Sequence, residues 1–182
     1  MPNRKYSETL LKEYVSSENL RLHCRMVATA MEGYSTQLNK SDEETDRWWT
    51  AGLLHDLDWE KYPDQHPKKV VNDILPDHKY EAEIIDAIEA HAPDQTGKEP
   101  ETEIARYLFA CDELSGFMNA VALMRPNGFS DMKVKSVTKK LKDRRFAENV
   151  PREDIHKGSD LILLPLNDHI KNMIEIFKKV YV

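Results

Sequence analysis

The chain has 182 residues, 40% hydrophobic and 32% charged, a balance that suits one folded domain with its own core and excludes a disordered chain. Its 26 basic residues against 32 acidic ones leave a net charge of −6, which argues against broad nucleic-acid binding while leaving room for a small phosphorylated ligand at a local basic cluster. Two isolated cysteines (Cys24 and Cys111), a polar N-terminus and no apolar run near the ~20 residues of a membrane span give the expectation of a cytoplasmic protein without a membrane segment.

Hydrophobic spacing predicts helices almost throughout. Residues 6–15 carry Tyr6, Leu10, Leu11, Tyr14 and Val15 three and four apart. A second helix over 17–31 sets Leu20, His23, Val27, Ala30 and Met31 on one stripe. Ser41 with Glu44 has the form of a capping box and opens a third helix through Trp48, Trp49, Leu53 and Leu54. Pro67 suits a first helical position, and its helix is expected to stop near Pro76. Residues 79–91 place Ile84, Ile88 and His91 on one face, and 92–100, with two prolines and a glycine, read as a loop. A long apolar helix over 102–124 ends at Arg125-Pro126-Asn127-Gly128. Ser130 is placed to cap a helix over 131–142, and two more follow over 151–160 and 166–181. With six glycines and little strict alternation, a sheet is not expected. The expectation is an all-α bundle, one domain over 1–182, with a core at about 17–125 and a helical C-terminal extension over 126–182.

The chemistry-bearing residues stand inside these apolar patterns. His23 shares its stripe with Leu20 and Val27, His91 closes the stripe of Ile84 and Ile88, and Asp112 lies in the long apolar helix. His55 and Asp56 follow each other at the end of an apolar helix, where both can turn inward. A buried carboxylate is costly unless something positive compensates it, and imidazoles with carboxylates converging from separate helices are what a divalent cation stabilises. Mixed nitrogen and oxygen donors suit manganese, iron, zinc, nickel or cobalt better than calcium.

The ordered pattern His23, then His55-Asp56, then Asp112 resembles the HD superfamily of metal-dependent phosphohydrolases. The strongest piece is Ala51-Gly52-Leu53-Leu54-His55-Asp56, and the resemblance covers about residues 17–125. It implies a helical bundle and a first divalent ion held by His23, His55, Asp56 and Asp112. His66 and His91 fall where members with two metals supply further histidines, so a second ion would be held by these two with Asp56 bridging. Lys68, Lys69 and Arg125 become candidate phosphate contacts. The chain reads His55-Asp56-Leu57-Asp58-Trp59 in place of the common His-Asp-Ile-Gly and has no Gly-Tyr-Pro signature, which makes cyclic dinucleotides a poor expectation. Residues 111–116, 121–126 and 134–137 are similar to a bacterial and archaeal subgroup of HD-domain proteins, a likeness that names no substrate.

The resemblance implies hydrolysis of a phosphomonoester or phosphodiester, with a nucleotide the first expectation. Two other readings stand beside it: a metal-containing module that senses a nucleotide without turnover, and a di-iron oxygenase on the same framework. Blander readings apply residue by residue. His66 can serve as a helix cap and His91 as a satisfied core histidine. Asp58 is read as a solvated turn carboxylate, with help in proton transfer as the alternative. His78, His156 and His169 are read as surface residues, and Trp48, Trp49 and Trp59 as core rather than a base-stacking surface. The basic run from Lys133 to Arg145 reads as a solvated face, or as a rim that steers phosphate.

Overall fold

The computed structural model describes residues 2–181, and among them there is no strand. The protein is all-α, as its spacing predicts. The helices are α1 (Arg4–Tyr14), α2 (Glu18–Gln37), α3 (Asp42–Leu54), α4 (Leu75–Asp77), α5 (Ala82–Glu89), α6 (Pro93–Thr96), α7 (Glu103–Leu123), α8 (Val134–Leu141), α9 (Arg152–Leu161) and α10 (Leu166–Phe177). No described helix is long and apolar enough to cross a membrane. The chain divides into two compact units, one ending at Phe109 and one starting at Ala110, so the division falls within α7.

In the first unit α3 packs against α1, α2 and α5. The starts of α1 to α3 follow from their caps, which satisfy N–H groups that a first turn leaves without partners. Asn3 accepts from Tyr6 N–H at 2.9 Å and Ser17 from Leu20 N–H at 3.4 Å. The capping box of α3 is complete, with Ser41 Oγ accepting from Glu44 N–H and Glu44 Oε2 from Ser41 N–H. Buried residues from these helices (Leu11, Val27, Met31, Leu53, Leu54, Ile84, Ile88) form the core.

Several boundaries differ from the spacing, among them the end of α10 at Phe177. Helix α2 runs on through Gly33 to Gln37, because Tyr34 is buried and its ring lies 5.0 Å from that of Tyr107. Helix α5 is shorter than residues 79–91: Lys79 takes a positive φ of 58°, and Tyr80 is tied to Ser7 through their hydroxyls at 2.9 Å. Ser130 sits in a turn, and α8 starts four residues later at Val134. The segment 92–100 holds the short helix α6, closed by Gly97 at φ 75°.

In the second unit Gly158 of α9 permits a close approach to α7. A Cβ there would stand 2.6 Å from the Cα of Ala110. Phe117 packs against Phe146 with centroids 5.4 Å apart, and Phe129, Phe177 and Tyr181 form a second aromatic group.

Candidate metal centre

One glycine sets the distance between the first two histidines. A Cβ on Gly52 would lie 2.8 Å from both Cα and N of Ala28, so α3 touches the backbone of α2 there. His23 lies five residues before Ala28 and His55 three after Gly52. Their Nε2 atoms face each other at 3.2 Å. Two nitrogens bound at right angles to one ion, each about 2.1 Å from it, would be about 3.0 Å apart.

Helix α3 ends at Leu54, and the chain turns at His55 and Asp56, so the adjacent side chains enter one pocket. Asp56 occupies its middle. Its Oδ2 lies 3.4 Å from His55 Nε2 and 3.6 Å from His23 Nε2. Its Oδ1 lies 3.6 Å from His66 Nε2 and 3.8 Å from His91 Nε2. One ligand atom each from Asp56, His66 and His91 fall within 4.8 Å of one another. His66 arrives on the turn before the helical segment that leads into α4, and His91 just past the end of α5.

The hydrogen bonds on the far side of each ring assign the tautomers. His55 Nδ1 lies 2.8 Å from the carbonyl of Gly52, and His91 Nδ1 bonds the carbonyl of Ile88. His66 Nδ1 lies 2.7 Å from Asp58 Oδ1. A carbonyl and a carboxylate only accept, so in each neutral ring Nδ1 carries the hydrogen and Nε2 the lone pair. Three lone pairs therefore point toward a carboxylate that has only lone pairs to offer, in a pocket where His55 is 0% and His66 4% exposed. Such a set of acceptors fits a cation, and the mixed donors fit a divalent transition metal. Burial alone would raise the Asp56 carboxyl. Where these rings take up a second proton on Nε2, the charge of His55, hydrogen bonds from His55 and His91, and the charge of His23 hold it well below the usual carboxylate range. A divalent ion among the same nitrogens acts in the same direction.

Asp58 is not a solvated turn carboxylate. It is 0% exposed, orients His66 through Nδ1 and accepts the N–H of Val70 at 2.8 Å. That bond anchors the start of a π-helical turn, Val70–Ile74, which leads directly into α4. Asp58 is thus a positioning residue for His66. Spacing hid it, because its partners lie 8 and 12 residues away across a chain reversal.

Asp112 is half-buried on α7 and belongs to the second unit. Lys68 is exposed, while Lys69 pairs with Asp73 at 2.7 Å. Arg125 is engaged within the second unit, with Nη2 2.7 Å from Asp131 Oδ1 and Nη1 3.1 Å from Ser136 Oγ. His78 lies 2.6 Å from the Tyr6 hydroxyl, and His156 is exposed. His169, expected at the surface, is fully buried with Nε2 3.0 Å from the carbonyl of Ala110. The stripe His169, Met173, Ile176 and Phe177 is the pattern that could have found it. Trp48 is core, but Trp59 is 47% exposed beside His66, contrary to the expectation for it. In the basic run, Lys140 covers the ring of Phe146, and Lys133, Lys135, Lys139, Lys142, Arg144 and Arg145 are exposed.

A family model described as HD domain matches residues 21–116, just over half of the chain. No curated protein and no solved structure matched.

Proposed function

The chain belongs to the HD-domain family, and we propose that it is a hydrolase of phosphomonoesters or phosphodiesters, a nucleotide first among them, working with one or two divalent transition-metal ions. The observation that carries this reading is the pocket in which Nε2 lone pairs of His55, His66 and His91 surround the Asp56 carboxylate. His23, His55, Asp56 and Asp112 would hold a first ion; His66 and His91, with Asp56 shared, would hold a second. When bound, such ions would lower the pKa of a coordinated water toward ~7 and draw charge from a phosphoryl oxygen.

The remaining work falls to the chain. Asp58 and the carbonyls of Gly52 and Ile88 hold His66, His55 and His91 in one tautomer and orientation, so the pocket does not reorganise as charge develops. Burial around His55, His66 and Asp58 excludes water from the far side of the rings. Lys68, exposed two residues past His66, is free to meet a phosphate, and Lys69 joins it on releasing Asp73. We also read the chain as one HD-type domain, since the matched segment runs across the division at Phe109.

The test is phosphate release from a panel of nucleotides with manganese, iron, zinc, nickel, cobalt and magnesium, with Asp56→Ala as control. Metal-dependent release, lost in the control, supports the reading. Tight nucleotide binding without release turns it to sensing, and iron-dependent oxygen uptake turns it to oxygenation.

A further inference from the structure

Trp59 stands three residues past Asp56 and exposes 47% of its surface, against 3% for Trp48. It does not hang loose. Its ring centroid lies 4.9 Å from that of His66, with the planes at 84°. The next residue, Glu60, accepts from the N–H groups of Ser16 at 3.1 Å and Ser17 at 2.9 Å, and from the Ser16 hydroxyl. These bonds tie the loop to the start of α2, where Ser17 caps the helix and Leu20 and His23 follow on one face.

Ser17, Asn19, Leu20, His23, Trp59 and Glu60 line a cavity of about 490 Å³. That volume falls within the roughly 300–1,000 Å³ of small-molecule sites, whereas a stable protein partner needs roughly 800 Å² of surface on each side. Trp59 and Leu20 supply apolar wall; Ser17 and Asn19 supply polar groups at the rim. The Glu60 carboxylate is already satisfied by the serines, which lowers the cost of bringing an electron-rich ring near it. His23 belongs both to this lining and to the metal-ligand pocket, through its 3.2 Å approach to His55. The cavity therefore opens beside the place where a phosphate would react.

We infer that this cavity takes the planar heteroaromatic ring of the substrate, a nucleoside phosphate, with Trp59 as its stacking surface. The inference rests on the hydrolase reading and adds the part of the substrate that the metal ligands do not touch. Trp59 touches the ring and not the reacting atoms, so it sets specificity. A flat, fixed indole suits such a ring because stacking tolerates any base and is worth about 5- to 150-fold in affinity.

Titration calorimetry on the manganese-loaded full chain tests this with the four common ribonucleoside 5′-monophosphates and with ribose 5-phosphate, which differs by the ring alone. At least one nucleotide is expected to bind roughly tenfold tighter than ribose 5-phosphate. Trp59→Ala is expected to lose about that factor for the nucleotide and under about twofold for ribose 5-phosphate, with Trp59→Phe between wild type and Trp59→Ala. Manganese content is expected to stay unchanged in both variants, since a role only in steadying His66 would lower it. Equal affinity for both ligand types in the wild type, an equal loss for both in Trp59→Ala, or no nucleotide binding at millimolar concentration overturns the inference. Ring discrimination without phosphate release keeps the cavity and removes the hydrolase reading. Release at equal kcat/KM from nucleotide and ribose 5-phosphate does the reverse.

Discussion

His55 and His169 are both fully buried, one in each unit, and their surroundings differ. His169 makes a contact of the kind a core histidine needs, with Nε2 3.0 Å from the Ala110 carbonyl. Burial pushes its pKa down to about 4, against the upward pull of that carbonyl. It is neutral near pH 7, and its Nε2 is satisfied by that carbonyl. His55 also satisfies Nδ1 on a carbonyl, yet its Nε2 faces His23 and Asp56, which in turn faces His66 and His91. Burial alone thus does not mark a ligand. A surplus of lone pairs aimed at one point does, because only a cation relieves it.

Removing the shared carboxylate breaks the contrast most severely. Asp56→Ala is expected to lower phosphate release by roughly a thousandfold, the loss of several kcal/mol of charge stabilisation, while leaving the helical circular dichroism in place. An activity within about threefold of wild type would detach the pocket from the reaction.

The second unit answers to pH. With a folded pKa of about 4 and an ordinary value of 6.5, His169 binds fewer protons folded than unfolded between those values. Stability is therefore complete above about pH 6.5 and falls as the pH drops toward 4, by about 3 kcal/mol in all. Denaturant unfolding of wild type and His169→Leu at pH 7 and pH 4 checks this. The variant is expected to lack that part of the pH dependence, and equal slopes for the two proteins would contradict it.

Gly52→Ala tests whether helix approach places His23 on His55. A Cβ 2.8 Å from the Ala28 backbone forces α2 and α3 apart, at a cost of about 1–3 kcal/mol in denaturant unfolding and with weakened metal binding. Unchanged stability and affinity would show that the approach has slack.

Asp58→Ala leaves every proposed ligand in place and removes the acceptor that orients His66, together with the bond to Val70 N–H. Its expected effect is a 10- to 100-fold loss of metal affinity, read by competition with a chelator, with Asp58→Asn losing less because an amide oxygen still accepts from Nδ1.

The helical class and the starts of α2 and α3 are legible because caps and apolar stripes are local: the Ser41–Glu44 box lies within four residues. His55, His66 and His91 stood out as polar groups at the ends or in the gaps of apolar patterns, and the structure brings them around Asp56. What stayed hidden depends on contacts distant in the chain. Asp58 looked like a turn residue until its acceptance of Val70 N–H and His66 Nδ1–H was visible. Helix α2 passes Gly33 because Tyr34 meets Tyr107, 73 positions on in the sequence. His169 was masked by its neighbours Asn167, Asp168 and Lys171, although Met173 and Phe177 share its face. Trp59 departs in the other direction: it is exposed while Trp48 is core and Trp49 half-buried, a division that depends on position in the fold and not on residue type.

The account stands on a cation between these histidines, and elemental analysis measures that directly. Wild type purified after supplementation with transition metals is expected to carry between about one and two ions per chain, and Asp56→Ala far fewer. Fewer than about 0.2 ion per chain in folded wild type, or equal content in the variant, would contradict it.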